Sequence, residues 1–178
     1  YDLPGIGFDA SAQIAYRILT EHILSLEYGD WFTARQVWMT AADELQDEGV
    51  VTGAVLNVIK AWDAVGVTNV GFNVFPSATW VAAGPFPGGP WVSGQKDYWV
   101  FHGTNAPGSW SISNSVPWLL TSSTNHTLPA GGYTNFDITI DTAQIAALPE
   151  GYHSGTITFT RSGSSNLVMR SVTVANVR

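Results

Sequence analysis

Phe136-Asp-Ile-Thr-Ile140, Thr156-Ile-Thr-Phe-Thr160 and Arg170-Ser-Val-Thr-Val174 each alternate between two kinds of side chain, and Tyr98-Trp-Val-Phe-His102 runs apolar. A period of two sends neighbouring side chains to opposite faces of an extended chain, and β-branched and aromatic residues suit a half-buried pleat. Turn signals separate these runs: Pro87-Gly-Gly-Pro90, Pro107-Gly108, Gly131-Gly132 and Ser162-Gly-Ser-Ser165. Their spacing predicts seven or so short strands in an antiparallel sandwich rather than a parallel sheet with crossover helices.

Towards the N-terminus the period changes. Ala15, Ile18, Leu19, His22, Ile23 and Leu26 recur at helical spacing, with Asp9 or Ser11 placed to cap the start. Ala34, Val37, Trp38, Ala41, Ala42 and Leu45 repeat the pattern, and Thr33 followed by Gln36 has the form of a capping box. Gly49 and Gly53 bracket a break, after which Val55 to Val65 reads as a third helix closed by Gly66 in a left-handed cap. The fold class is therefore α+β in two units. Residues 1–68 form a small all-α helical subdomain, and residues 69–178 form an antiparallel immunoglobulin-like β-sandwich.

Charge divides at the same place. Residues 1–66 hold ten acids against Arg17, Arg35 and Lys60, which accounts for the whole net charge of −7, while the remainder balances to zero. Seven scattered cations make nucleic acid a poor partner, because phosphate binding rests on clustered Lys and Arg. Without cysteine there is no disulfide, thiolate metal site or cysteine nucleophile. No run of apolar residues is long enough to span a membrane, and no basic leader with an apolar core marks a signal peptide, so the chain reads as soluble. The first residue is Tyr1 rather than Met, which points to a cut precursor or a piece of something longer.

Catalytic chemistry is hard to assemble from these residues. A zinc hydrolase needs imidazole and carboxylate ligands at fixed spacing, yet His22, His102, His126 and His153 are isolated, and His22 sits on an apolar stripe as a core or helix-interface residue would. Ser93-Gly94 and Ser154-Gly155 read as ordinary loop dipeptides, and no lysine follows Gly5-Ile-Gly7 to make a phosphate loop. Asp43, Glu44, Asp47 and Glu48 read as an exposed helix end, with calcium as the sub-hypothesis for that cluster. Asn125-His-Thr127 has the glycosylation pattern but reads as a polar turn. The Pro/Gly-rich stretch from Ala83 to Pro90 cannot by itself hide large rings, which makes Trp80, Phe86, Trp91 and Trp99 the candidate aromatic contacts for a sugar or a protein. Core packing is expected of Trp110 and Trp118.

The order Gly5-Ile-Gly7, Ile14-Ala-Tyr-Arg17, Phe32-Thr-Ala-Arg35, Ala41-Ala-Asp43 and Ala61-Trp-Asp-Ala-Val-Gly-Val67 resembles the C-terminal end of the helical lobe of thermolysin-like zinc metallopeptidases. The resemblance covers residues 5–67, and its last segment is the most specific. It implies helices that close the lobe behind the substrate cleft. It also implies that zinc, and calcium where present, belong to a missing upstream portion, since the family's zinc ligands and catalytic histidine precede the Gly-Ile-Gly position. Residues 72–177 look like a BACON-type or related immunoglobulin-like repeat, through Tyr98-Trp-Val, Trp110, Trp118-Leu119, Phe136-Asp-Ile-Thr-Ile140, Leu148-Pro-Glu-Gly-Tyr152 and Arg170-Ser-Val-Thr-Val174.

Together these readings predict a non-catalytic C-terminal portion of a secreted peptidase, located outside the cell or on its surface. It would have no catalytic residues, metal or activity of its own, and would carry a binding or anchoring appendage. Its partners would be the missing catalytic lobe or a second polypeptide. The alternatives are an assembly subunit that joins copies of itself, and a module that binds a glycan or a cell surface.

Overall fold

In the computed structural model α1 begins at Gly7, whose φ of +83° lies in the left-handed region open to glycine, and runs Gly7–Arg17. Residues 7–22, 30–67, 71–84, 94–122, 124–165 and 167–177 are described. Asp9 and Ser11, expected as caps, lie inside α1, where the Ser11 hydroxyl donates to the Gly7 carbonyl at 2.8 Å. A π turn, Ile18–His22, continues the helix. Its extra residue per turn shifts the expected stripe: Ile14 and Ile18 are buried, whereas Leu19 is exposed. Ile23 and Leu26 fall outside the described residues.

Helix α2, Trp31–Asp47, is capped by Asp30, whose side chain accepts from the Thr33 N–H at 2.8 Å. The capping box expected at Thr33 is thus replaced by a cap three residues earlier, and Thr33 is the residue being capped. Its buried face carries Val37, Ala41, Ala42 and Leu45 as expected, and also Arg35, Met39 and Asp43. Burial of Asp43 removes it from the exposed acidic helix end. Helix α3, Ala54–Ala64, packs on α2 and ends as its sequence predicts. Gly66, at φ +80°, donates to the Asp63 carbonyl and Val67 to the Trp62 carbonyl, both at 3.0 Å, which is the double closure of a Schellman cap.

The chain divides into two compact units, Tyr1–Thr68 and Asn69–Arg178. Among its described residues the second holds nine strands: β1 Gly71–Phe75, β2 Trp80–Gly84, β3 Gln95–Gly103, β4 Gly108–Asn114, β5 Leu119–Thr121, β6 Asn125–Leu128, β7 Tyr133–Ile140, β8 Gly151–Arg161 and β9 Leu167–Asn176. A short helix α4, Thr142–Ala146, precedes β8 and is capped by Asp141. The strands form two sheets, β1-β3-β7-β5 and β2-β9-β8-β4-β6, in an immunoglobulin-like sandwich.

Pairing departs from the expected antiparallel pattern in one place: β2 runs parallel to β9, with Trp80 opposite Val172. The chain leaves the first sheet after Phe75 and enters the second at Trp80, so β2 falls beside the last strand running the same way. The inward side chains of both sheets make the core, where Tyr98, Trp110, Phe136 and Phe159 pack with ring centroids 5.5 to 6.2 Å apart. Each such contact adds about 1 kcal/mol beyond the area buried. Trp110 and Trp118 are both core residues, as expected.

Candidate functional site

Three segments of the helical unit meet at one side chain. Arg35 projects from α2, is 1% exposed, and donates through Nη1 to Asp63 Oδ1 at 2.5 Å and to the Val67 carbonyl. A guanidinium suits this place because its planar fork can reach the carboxylate on α3 and the backbone that follows the Gly66 cap. Removing the Asp63 charge would strand a buried guanidinium, whereas Asp63, 31% exposed, would keep part of its hydration if Arg35 were lost.

The same unit carries an apolar groove of about 690 Å³ between the start of α1, the middle of α2 and the last turns of α3. Phe8, Trp38, Val58, Ala61, Trp62 and Val65 supply most of its wall. Phe8 is 87% exposed and Val65 71%. Trp31, also exposed, lies 6.5 Å from Trp62 between ring centroids. Apolar side chains thus gather at one place in a unit whose charge is strongly acidic.

Of the four acids read as an exposed helix end, Glu44 and Glu48 join Glu21 in meeting Arg17. Its guanidinium bonds both Glu48 oxygens at 2.8 and 2.6 Å and lies 3.2 Å from Glu21 and 3.6 Å from Glu44. The hydrogen bond to Arg17 holds the Glu48 carboxyl below its usual range, and Glu48 in turn holds Arg17 protonated. His22 Nε2 is 2.9 Å from Glu44 Oε2 and its side chain is 19% exposed, so this histidine bridges the π turn and α2, a helix-interface place as expected, through a polar contact.

Glu21, His22 and Glu44 offer three donor atoms within 4.8 Å of one another. They do not fit a hydrolytic zinc. Arg17 already sets a positive charge against the Glu21 and Glu44 carboxylates, and catalytic zinc sites draw on more imidazole than the single His22 supplies here. The other histidines are engaged separately: His102 with Thr104 and Ala106, His126 stacked on Trp110 at 4.3 Å, and His153 donating to the Pro149 carbonyl.

Of the four aromatic contacts expected in the sandwich, Trp80 is buried at 5% exposure within the core. Trp99 is 8% exposed, its ring 6.0 Å from that of Tyr133. Strand phase sends Trp80 into the core, whereas Trp99 alternates with the core residues Tyr98 and Val100 and is covered on the opposite face of its sheet, beside Tyr133; burial corrects the reading of both as surface contacts. Phe86 and Trp91 lie outside the described residues.

Sequence reasoning did not single out Asn176. It is 1% exposed, and its Nδ2 lies within 3.1 Å of the carbonyls of Ile145, Leu148 and Pro149. Nothing in its neighbourhood in the sequence marks that role, because the three acceptors are 27 to 31 residues away.

No family model and no curated protein matches the chain. Among solved structures, a Bacteroides ovatus GH5 xyloglucanase in complex with an XXXG heptasaccharide is similar over 60% of this chain and 19% of its own, at 19% identity and a TM-score of 0.38. A chaperone–tip adhesion subunit complex of the archaic chaperone-usher Csu pili of Acinetobacter baumannii is similar over 59% of this chain and 56% of its own, at 9% identity and a TM-score of 0.43. The Salmonella enterica SafA pilin in complex with the SafB chaperone is similar over 61% and 56%, at 8% identity and a TM-score of 0.45. This chain thus spans between about a fifth and a little over half the length of those chains. At such scores the sandwich assignment stands on its own strand order and register.

Proposed function

We propose that the chain is a non-catalytic C-terminal portion of a secreted thermolysin-like zinc metallopeptidase. Its helical unit completes a lobe whose zinc-bearing half is a separate or preceding polypeptide, and its sandwich is a binding or anchoring appendage. The observation that carries this reading is the Arg35 contact. It joins Phe32-Thr-Ala-Arg35 to Ala61-Trp-Asp-Ala-Val-Gly-Val67, the most specific of the segments on which the resemblance rests.

The apolar groove supports the same reading, because a helical lobe that lacks its other half leaves uncovered the surface on which that half packs. Zinc and the groups that attack the peptide bond belong, on this proposal, to the partner, and hydrolysis by this chain alone is not expected.

Mass spectrometry of the native material tests the proposal. A longer precursor, or a co-purifying polypeptide with a His-Glu-x-x-His helix, is the expected result. Peptidase activity from the isolated chain with zinc, or native material made solely of copies of this chain, would overturn it.

A further inference from the structure

Glu21, His22 and Glu44 hold too little imidazole for a hydrolytic zinc, yet their arrangement suits an ion that joins two helical segments. On an α-helix the side chains at i and i+1 do not face one another. Within the π turn, however, the donor atoms of the adjacent Glu21 and His22 both lie within 4.8 Å of that of Glu44 on α2. Turns of this kind are rare and gather at functional sites.

Charge points the same way. Glu44 lies in the last turn of α2, where the helix dipole disfavours a carboxylate and favours a cation. Arg17 is a cation already present, but its shortest bonds go to Glu48, at 2.8 and 2.6 Å, against 3.2 Å to Glu21 and 3.6 Å to Glu44. Among the described residues, three carboxylates facing one guanidinium leave two negative charges when His22 is neutral, and a dication cancels them. The side chains of Glu21, Glu44 and His22 are 54%, 35% and 19% exposed, so a hydrated ion reaches them and keeps water on its remaining positions. Two ligand atoms at right angles about an ion with ~2.1 Å bonds stand about 3.0 Å apart, whereas a tetrahedral ion sets them about 3.4 Å apart. The contact between His22 Nε2 and Glu44 Oε2, at 2.9 Å, already holds the right-angle spacing. Nitrogen and oxygen donors so placed suit copper(II) or nickel(II), and an imidazole in the set disfavours calcium and magnesium.

We propose that Glu21, His22 and Glu44 bind a divalent transition ion of the copper(II) and nickel(II) class, which pins the π turn to the C-terminal end of α2. His22 binds through Nε2, so the proton of its contact with Glu44 moves to Nδ1 or to water as the metal enters. Arg17 stays on Glu48. The ion is structural, and no step of peptide hydrolysis passes through it. The site is built from this chain's own residues and stands whether or not a zinc-bearing partner exists.

Isothermal titration calorimetry of the untagged full chain with nickel chloride at neutral pH tests the site. One ion bound per chain is expected, with no binding of calcium chloride over the same concentrations. His22→Ala and Glu44→Gln should each weaken nickel binding by at least about tenfold, with unchanged circular dichroism. His153→Ala, at a histidine on β8, should leave it as it was. Nickel should also raise the melting temperature of the helical signal in the native sequence and not in His22→Ala, because an ion held from two segments stabilises only the folded unit. Absence of nickel binding, equal binding of calcium, binding that survives both His22→Ala and Glu44→Gln, or an equal loss in His153→Ala would overturn the proposal.

Discussion

Arg35 shows what one buried charge does for a small helical unit. Its carboxylate partner, Asp63, keeps 31% of its side chain exposed, so hydration relieves part of the loss when the guanidinium is removed. Arg35→Ala should therefore destabilise the unit by about 3 kcal/mol, the lower end of the range for breaking a buried pair, as read by urea unfolding under far-ultraviolet circular dichroism. A loss no larger than that of Lys60→Ala, an exposed change on α3, would mean that Arg35 does not tie the helices together. Among the exposed carboxyls, Glu48 is held low by its hydrogen bond to Arg17 and Asp30 by the Thr33 N–H. A carboxyl whose folded pKa lies below its unfolded one adds stability above the unfolded value and loses it as pH falls through the folded one. Helical stability should hold from neutrality down to the ordinary carboxylate range and then fall. Glu48→Gln should flatten that fall, which thermal melts across an acid pH series would show. Arg35 was legible in the sequence only as part of a family-like segment. Its burial was not, because Asp63 and Val67 lie 28 and 32 residues away.

At the scale of elements, the ends of helices and the glycines divide what is local from what is not. The Gly66 cap could be read in advance because a left-handed residue after an apolar stripe is a local requirement. Gly66→Ala has open space around the new Cβ and should cost about 1 kcal/mol through backbone strain alone. Gly108 looks equally local in Pro107-Gly108, yet its reason is tertiary. A Cβ there would stand 2.3 Å from His102 Cε1, on a ring held by Thr104 and Ala106. Gly108→Ala should therefore cost about 2 kcal/mol by overpacking, more than Gly66→Ala, and denaturant unfolding of the two variants checks the order. The start of α2 was misplaced for a related reason. Thr33 and Gln36 satisfy the capping-box pattern, but Asp30 offers a carboxylate acceptor one turn earlier, and the helix begins there. The parallel β2–β9 pair was equally out of reach, since strand order depends on which sheet the chain enters after Phe75.

Over the whole molecule the two units differ in what they can bury. The sandwich encloses a continuous aromatic and aliphatic core from both its sheets. The helical unit has under seventy residues, a size at which a single core is marginal, and it leaves Phe8, Trp31 and Val65 exposed. Residues 69–178 expressed alone should unfold cooperatively, while residues 1–68 alone should bind a hydrophobic dye and unfold over a broad range; sharp cooperative melting of the helical piece would argue against an uncovered groove. Period, turn residues and charge were enough to place the α-to-β change near residue 68, to predict helices and strands, and to exclude a cysteine chemistry, since each follows from neighbours along the chain. The folded structure decided the rest: Trp80 turned into the core, Trp99 was covered on the opposite face of its sheet beside Tyr133, Arg17 drew Glu21, Glu44 and Glu48 together, and hydroxyls lined up across β8, β9 and β4. Those outcomes depend on strand register and helix phase. Both are set by which distant residues are brought into contact, and no stretch of sequence carries that information by itself.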